Sequence, residues 1–361
     1  MKSLGKLFLI LTLFALPALP SIAQTQIYAI GTDFSRGVDP KESEVDQRIS
    51  PFEDSVFYTL DPNTGQPTEV GDIEGYTRCT GLDIHPITGE FFAVCDENGE
   101  IFDELSPLTR NGVFGPHLLI IDPLTGQPTD LGALELSRGD FVSDISFRSD
   151  GTLFAHLNAQ GNEGTLENTT KTINANSLAI INTNTANVTI LGETGVDDTF
   201  SAIGFNNTNT LLQCTDNRNI PGIVNSLNQT TGQATFLGNL IYPPEFDGFN
   251  IIPSKDFDPG LDHFFAILFH EGERDNPEVA VNGINVGNFL VTIDQGNGAI
   301  ENVGPIALGF EDQFAAIAVL AEPIPLAQVP TLSEYGLIVT VVMLLGAAVL
   351  VLRRRQVKTE I

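Results

Sequence analysis

The sequence predicts an all-β fold, a β-propeller of five four-stranded blades, followed by one C-terminal transmembrane helix. Three observations lead to this prediction: a strand–turn–strand phrase recurs five times, a second hairpin lies between successive copies, and a charge-free apolar run stands near the C-terminus. Four strands per unit, repeating every 45 to 66 residues or so, are typical of propeller blades.

The repeated phrase is clearest at residues 57–71 and 119–132. Both copies contain a strand, an Asp-Pro-Xaa-Thr-Gly turn and a second strand that ends in Gly. Turn residues between apolar strands indicate a β-hairpin. The third copy carries Asn187 at the position of the turn glycine, and the last two carry Gly232 and Gly298 there.

The second hairpin is best seen at residues 80–94, and its first strand is missing at the start of the body. Residues 27–30 match the second strand of this hairpin, whereas 312–317 match the first. We therefore expect the last strand to complete the first blade and leave no open sheet edge. The blade count would be six or seven if the insertions contain strands. The alternative is an open β-solenoid, which gives no reason to divide a repeat between the two ends.

Residues 1–23 are typical of a secretory signal peptide. Lys2 and Lys6 precede a short apolar run, and prolines and small residues follow it. Signal peptidase is expected to cleave before Gln24, which leaves a body of residues 24–322. An uncleaved anchor is the alternative.

The C-terminal end is predicted to cross a membrane. Residues 336–352 are seventeen residues without a charge, about 25 Å of helix, and Arg353, Arg354 and Arg355 follow at once. The arginines should stay in the cytoplasm, which leaves the body outside. A buried core helix is the alternative, but only nine residues follow it. Residues 323–328 form a short, proline-rich tether.

A motif precedes this helix and consists of Val329, Pro330, Thr331, Leu332, Ser333, Glu334, Tyr335 and Gly336. Together with the helix and basic tail (329–361), it resembles the bacterial IPTL-CTERM sorting domain, with Val329 in place of Ile and Tyr335 in place of Trp. The resemblance implies processing by an exosortase-like membrane protease and a final place in the cell envelope, at the surface or outside a Gram-negative cell. It implies nothing about the body.

The chain is strongly acidic, with 46 Asp and Glu residues against 17 Lys and Arg residues and a net charge of −29. This balance argues against nucleic acid as a partner, because phosphate binding needs clustered basic side chains. Polar insertions at 35–53, 97–116, 159–176 and 270–286 are either ligand-binding loops or solvated excursions. Residues 96–100 and 197–198 offer oxygen ligands for Ca²⁺ without the frame of a dedicated calcium loop, so acidity that serves only solubility is the alternative; no other cofactor is predicted.

Cys79 and Cys95 are predicted to form a disulfide. If Ile84 pairs with Glu90 in the second hairpin, the two cysteines lie directly opposite each other, close enough for a bond. The export signal places them in an oxidising compartment, but a register slip of one residue would separate them. Cys214 aligns with Val94 and is expected to be buried and unpaired, a free functional thiol being the alternative.

The histidines do not occupy equivalent positions of the repeat, so a ring of histidine ligands on the axis is not expected. His85 falls in a turn, His156 on an inner strand, and His270 just past a strand. The sequence also contains none of the nucleophile, zinc-protease or P-loop motifs.

Two functions remain open for the body. The first is a non-catalytic surface protein that serves binding, adhesion or structure. The second is a metal-assisted hydrolase or lactonase with a carboxylate site on the propeller axis. Three or more carboxylate or amide side chains converging around an axial cavity favour the enzyme, and an axis filled with apolar side chains favours the first function.

Overall fold

The computed structural model describes residues 25–33, 54–98, 113–136, 140–159, 176–196, 200–217, 220–246, 249–271, 287–308 and 312–320. These residues form twenty strands in five four-stranded sheets, and one short 3-10 helix, Pro244–Phe246. The predicted signal peptide, sorting motif and apolar helix lie outside the described residues. Among the residues described, no helix is long and apolar enough to cross a membrane.

Each sheet is one blade, whose strands follow one another from the propeller axis outwards. Blade 1 consists of β20 (Asp312–Leu320), β1 (Gln26–Asp33), β2 (Val56–Leu60) and β3 (Pro67–Asp72). Blade 2 consists of β4 (Tyr76–Ile84), β5 (Phe91–Asn98), β6 (Val113–Ile121) and β7 (Pro128–Ala133). Blade 3 consists of β8 (Asp140–Phe147), β9 (Leu153–Ala159), β10 (Ser177–Ile181) and β11 (Val188–Glu193). Blade 4 consists of β12 (Phe200–Phe205), β13 (Leu211–Asn217), β14 (Ile220–Leu227) and β15 (Ala234–Asn239). Blade 5 consists of β16 (Phe249–Asp258), β17 (His263–Glu271), β18 (Gly287–Asp294) and β19 (Ile300–Leu308).

The ring closes as predicted. The last strand, β20, pairs antiparallel with the first, β1, from Gln26–Leu320 to Asp33–Asp312. The five innermost strands contact one another in the order β4, β8, β12, β16, β20 and back to β4. The fold class, the number of blades and the closure by the two terminal strands are therefore confirmed.

The alternation of strand direction gives the propeller two unlike faces. Tight turns join the third to the fourth strand of every blade and the first to the second strand of blades 2 to 5, so they share one face, the turn face. The connections between second and third strands begin and end at the opposite face, the insertion face. In blades 1, 2, 3 and 5 that connection contains one of the long polar insertions.

The glycines of the repeat lie where neighbouring blades meet. A Cβ atom on Gly126, in the turn of blade 2, would lie 2.6 Å from the carbonyl oxygen of Gly71 on β3. The same contact joins Gly232 to Gly192 and Gly65 to Gly304, and the latter pair closes the ring between blades 1 and 5. In blade 3 the turn position is occupied by Ala186, with φ of 56°, so the assignment of Asn187 to that position is wrong by one residue.

The disulfide between Cys79 and Cys95 is confirmed, but the register that predicted it is wrong. Ile84 pairs with Phe91 rather than Glu90, which alone would move the cysteines out of line. A bulge restores the alignment: between the pairs Thr77–Asp96 and Gly81–Val94, three residues of β4 face the single residue Cys95. The cysteine Cα atoms are 3.9 Å apart, and Cys214 is free and buried.

Candidate functional site: the propeller axis

The propeller axis is lined by side chains that satisfy backbone groups of the innermost strands. Each innermost strand has one edge turned to the axis, where its N–H groups have no neighbouring strand to accept from them. A buried N–H group without a partner is costly, so an acceptor must come from elsewhere. Five side chains of β4, β8 and β16 provide it, and we call them the axial clamp: Asp83, Asp144, Ser146, Ser254 and Asp256.

Asp83 and Asp256 act in the same way at equivalent positions of blades 2 and 5. Asp83 accepts from the N–H of Phe147 in blade 3 at 2.5 Å, and from its neighbour Ile84 at 2.6 Å. Asp256 accepts from the N–H of Val319 in blade 1 at 2.7 Å. Its other oxygen accepts from Phe257, also at 2.7 Å. Each carboxylate therefore joins its own blade to the next.

Asp144 and Ser254 form a second level of the clamp. Asp144 accepts from the N–H of Ile203 in blade 4 at 2.9 Å and from the hydroxyl of Ser254 at 3.0 Å. The Ser254 oxygen accepts in turn from the N–H of Ile317 in blade 1 at 3.1 Å. This chain of hydrogen bonds joins four of the five blades through the axis.

Two interfaces use small residues at the clamp positions instead. Blade 4 has Ala202 and Gly204 there, and a Cβ on Gly204 would lie 2.7 Å from the ring of Phe264 in blade 5. Blade 1 has Ala316 and Ala318. At Gly204 the next blade packs directly against the backbone, which leaves no room for a polar side chain.

Desolvation raises the pKa values of the three carboxyl groups of the clamp. Desolvation raises the pKa of Asp83 and of Asp144 well above the usual range, and the charge of Asp256 raises the pKa of Asp83 further. Desolvation raises the pKa of Asp256 to about 6. Lys255 is also buried; its Nζ donates to the Leu212 carbonyl at 3.1 Å and lies 3.8 Å from the Phe264 ring centre, and desolvation lowers its pKa.

A second buried polar group lies between blades 3 and 4, and we call it the polar seam: Ser143, His156, Ser201, Gln213 and Asn225. The Ser143 hydroxyl is 2.8 Å from His156 Nδ1 and close to two carbonyl oxygens, whereas Gln213 Nε2 lies 3.3 Å from His156 Nε2. Because an amide nitrogen only donates, Nε2 must accept and Nδ1 must carry the proton. Desolvation lowers the pKa of His156 to about 3, so the ring is neutral.

The seam was missed because it depends on one exception in the repeat. Residues 29, 93, 155 and 266 are alanines, and the equivalent position of blade 4 is Gln213. Gln213 reaches His156 across the interface, donates to Ser201 of its own blade at 2.9 Å and accepts from Asn225 at 3.2 Å. A glutamine in a run of alanines was the available signal.

Two of the remaining histidines, His85 and His117, have polar partners within their own blade. His85 Nδ1 accepts two turn amides, from Ile87 and Thr88. His117 lies 3.1 Å from Asp130. His270 lies within β17 rather than past a strand, so that placement was wrong. Among the described residues, no group of three or more His, Cys, Asp or Glu side chains could hold a metal ion.

The axis therefore matches neither picture proposed from sequence. Three aspartates do converge on it, but each of their six oxygens accepts a hydrogen bond from the protein. Each carboxylate therefore already bonds within the protein through both of its oxygens. The arrangement is chemically suited to holding blades together.

Comparison with known proteins identifies the C-terminal region but not the body. Residues 327–356 match the IPTL-CTERM motif, which implies processing by an exosortase-type membrane enzyme. The predicted sorting residues Val329 to Gly336 lie within the matched range. No curated protein sequence matches the chain.

Solved structures similar to the chain have low identity. A chain of a nidogen/laminin complex is 10% identical, with 83% of this chain and 100% of that chain covered and a TM-score of 0.46. TolB from Acinetobacter baumannii is 14% identical, and the match covers 78% of this chain and 53% of TolB with a TM-score of 0.41. This chain therefore spans about half the length of TolB. A luciferin-regenerating enzyme is 12% identical, and the match covers 71% of this chain and 68% of that enzyme with a TM-score of 0.36. The five-bladed propeller of this chain and its IPTL-CTERM motif together suggest an exported surface protein.

Proposed function

We propose that this chain is a non-catalytic propeller sorted to the envelope or surface of a Gram-negative cell, where it serves binding, adhesion or structure. Signal peptidase would remove residues 1–23, and an exosortase-like protease would process the sequence around residues 329–336. Arg353, Arg354 and Arg355 would hold the apolar segment in the membrane until then.

The observation that carries this proposal is the state of the axial aspartates. A hydrolytic site on the axis needs at least one carboxylate oxygen turned towards a metal ion or the substrate. Here Asp83, Asp144 and Asp256 each use both oxygens within the protein. This supports a scaffold rather than the alternative hydrolase or lactonase.

Sorting can be tested with the full chain expressed in a Gram-negative host that contains an exosortase. Cell fractionation and mass spectrometry should find a body that begins at Gln24 and lacks the C-terminal helix. Replacing the three arginines with Gln should reduce retention and processing. A chain that remains unprocessed in the cytoplasm would contradict the proposal.

The absence of catalysis is tested separately. The purified chain is assayed against lactones and phosphate esters with Ca²⁺, Mn²⁺ or Zn²⁺, beside Asp144→Asn. Turnover that depends on metal and disappears in the variant would favour the hydrolase. A calorimetric titration of the purified chain with Ca²⁺ tests the predicted calcium binding.

A further inference from the structure

One sector of the propeller surface differs from the rest, namely the outer edges of blades 3 and 4. The third residue of the outermost strand is exposed in every blade. It is Glu69, Asp130 and Asn302 in blades 1, 2 and 5, but Ile190 and Phe236 in blades 3 and 4. The equivalent positions show that the fold does not require an apolar side chain here, because three blades fold with polar ones.

The tight turns follow the same division. The first turn residue is Asp61, Asp122 and Asp294 in blades 1, 2 and 5, and Asn182 and Asn228 in blades 3 and 4. Asn and Asp make the same bonds: Asp61 accepts two turn amides at 2.8 and 3.1 Å, and Asn228 accepts two at 2.9 and 3.1 Å. The turn is preserved, and only the charge is absent.

The result is an edge on which Glu193, the last residue of β11, is the one charged side chain of the two outermost strands. Residues 176–192 and 220–244 contain no charged side chain in a protein of net charge −29. The two edges are joined, because the N–H of Ala234 donates to the carbonyl of Thr194 at 2.9 Å. Phe236, Leu237 and Ile241 are 60%, 54% and 56% exposed along it. We call this surface the neutral edge, comprising residues 188–192 of β11, all of β15 and residue 241.

An outermost strand that carries no charge lacks the usual protection against pairing with another strand. Glu69, Asp130 and Glu301 protect the outer strands of blades 1, 2 and 5 in this way. Two copies of so acidic a protein repel each other, and the repulsion is smallest where uncharged surfaces meet. A two-fold arrangement would then present the same edge from both copies.

We propose that the neutral edge is a self-association surface, through which two copies of this chain pair side by side along β15. The apolar side chains of the edge become buried in the pair, and the acidic surfaces of blades 1, 2 and 5 point away from the contact. This proposal is independent of whether the protein is catalytic.

The test uses the full chain purified in detergent and compares Phe236→Glu with Asn302→Glu. Both variants add one charge at an equivalent exposed position, so a general effect of charge or folding is shared. Sedimentation should show a concentration-dependent dimer of the unaltered chain. F236E should raise its dissociation constant at least about tenfold and N302E by less than about twofold. A monomeric unaltered chain, or equal effects of the two variants, would overturn the proposal.

A cross-linking experiment tests the geometry independently. Thr235 on β15 and Thr68 on β3 are exposed and occupy equivalent positions. Under oxidising conditions T235C should form a disulfide-linked dimer, and T68C should not. Equal cross-linking of both variants, or of neither, would show that β15 is not the contact.

Discussion

Ser254 donates a hydrogen bond to Asp144 at 3.0 Å, although the two residues belong to blades 5 and 3, which are not neighbours in the ring. Their contact passes through the propeller axis. Since Asp144 also accepts from blade 4 and Ser254 from blade 1, a single pair of side chains coordinates four blades.

We first predict unequal effects of two substitutions at Asp144. Asp144→Ala leaves the N–H of Ile203 and the hydroxyl of Ser254 without their acceptor, at about 1–3 kcal/mol for each buried group. Asp144→Asn keeps an acceptor for Ile203 and removes a buried ionisable group, so it should lie within about 1 kcal/mol of the unaltered protein. Denaturant unfolding at pH 7 measures both. Equal losses in the two variants would contradict the clamp.

The second prediction concerns the glycines between blades. Gly126→Ala places a Cβ 2.6 Å from the Gly71 oxygen, in addition to an unfavourable φ of 76°. Gly89→Ala is the matched control, because its φ is 75° and no atom lies within 4 Å of the added Cβ. The free energy of unfolding of the G89A control should fall by about 1–2 kcal/mol because of backbone strain, and that of G126A should fall by clearly more. Thermal unfolding of the two variants measures the difference, and similar losses would mean that the blades adjust freely.

The third prediction is that the free energy of unfolding of the propeller rises as the pH falls from 7 to 5. The pKa of Asp256 and that of Asp96 are each raised to about 6, both chiefly by desolvation. A carboxyl group with a raised pKa in the folded state costs stability when ionised, and this cost falls as the pH drops through that pKa. Each group contributes up to about 1.4 kcal/mol per pH unit.

His156 has the opposite effect in the same range. Its folded pKa of about 3 lies below the unfolded value, so below about pH 6.5 the unfolded chain gains protons that the folded one cannot. The several carboxyl groups should outweigh this single histidine. Denaturation midpoints from pH 8 to 4.5 test the balance, and His156→Gln should steepen the rise towards acid. A steady fall in stability from pH 7 to 5 would contradict the assignment.

The fourth prediction concerns ring closure by β20. Removing residues 312–322 takes away the partner of β1 and the two N–H groups, of Ile317 and Val319, that donate to the axial clamp. The loss should exceed the few kcal/mol of net stability typical of a domain, so the shortened chain should be insoluble or sensitive to protease. A chain that ends after residue 322 is the control. Cooperative melting of both at one temperature would argue against a closed ring.

The architecture could be predicted because every copy of the repeat has recognisable turn residues at the same position between its strands. Gly65 and Gly126 mark equivalent turns, and the split repeat at the two ends foretold the pairing of β1 with β20. The register was less accessible. The bulge opposite Cys95 adds residues to one strand only, and nothing in the local sequence distinguishes it from a regular hairpin, so Cys79 was placed correctly by an incorrect pairing.

The axial clamp had a signal that the repeat alone could not interpret. Asp83 and Asp256 occupy equivalent positions within apolar strands, where aspartate is disfavoured. Sequence shows that such residues are unusual, but whether they bind a ligand or a backbone amide depends on the neighbouring blade. Asp144 lies at a different position of its strand, and its partner Ser254 is 110 residues away. Such a contact has no local signature.

The two faces of the propeller have a consequence for how this protein can change over generations. The tight turns that carry Gly65, Gly126 and Gly232 lie at one face, and the long connections begin and end at the other. Lengthening a connection between a second and a third strand leaves Gly65, Gly126 and their partners untouched. The molecule can therefore acquire new loops at one face while the joints that maintain its ring stay as they are.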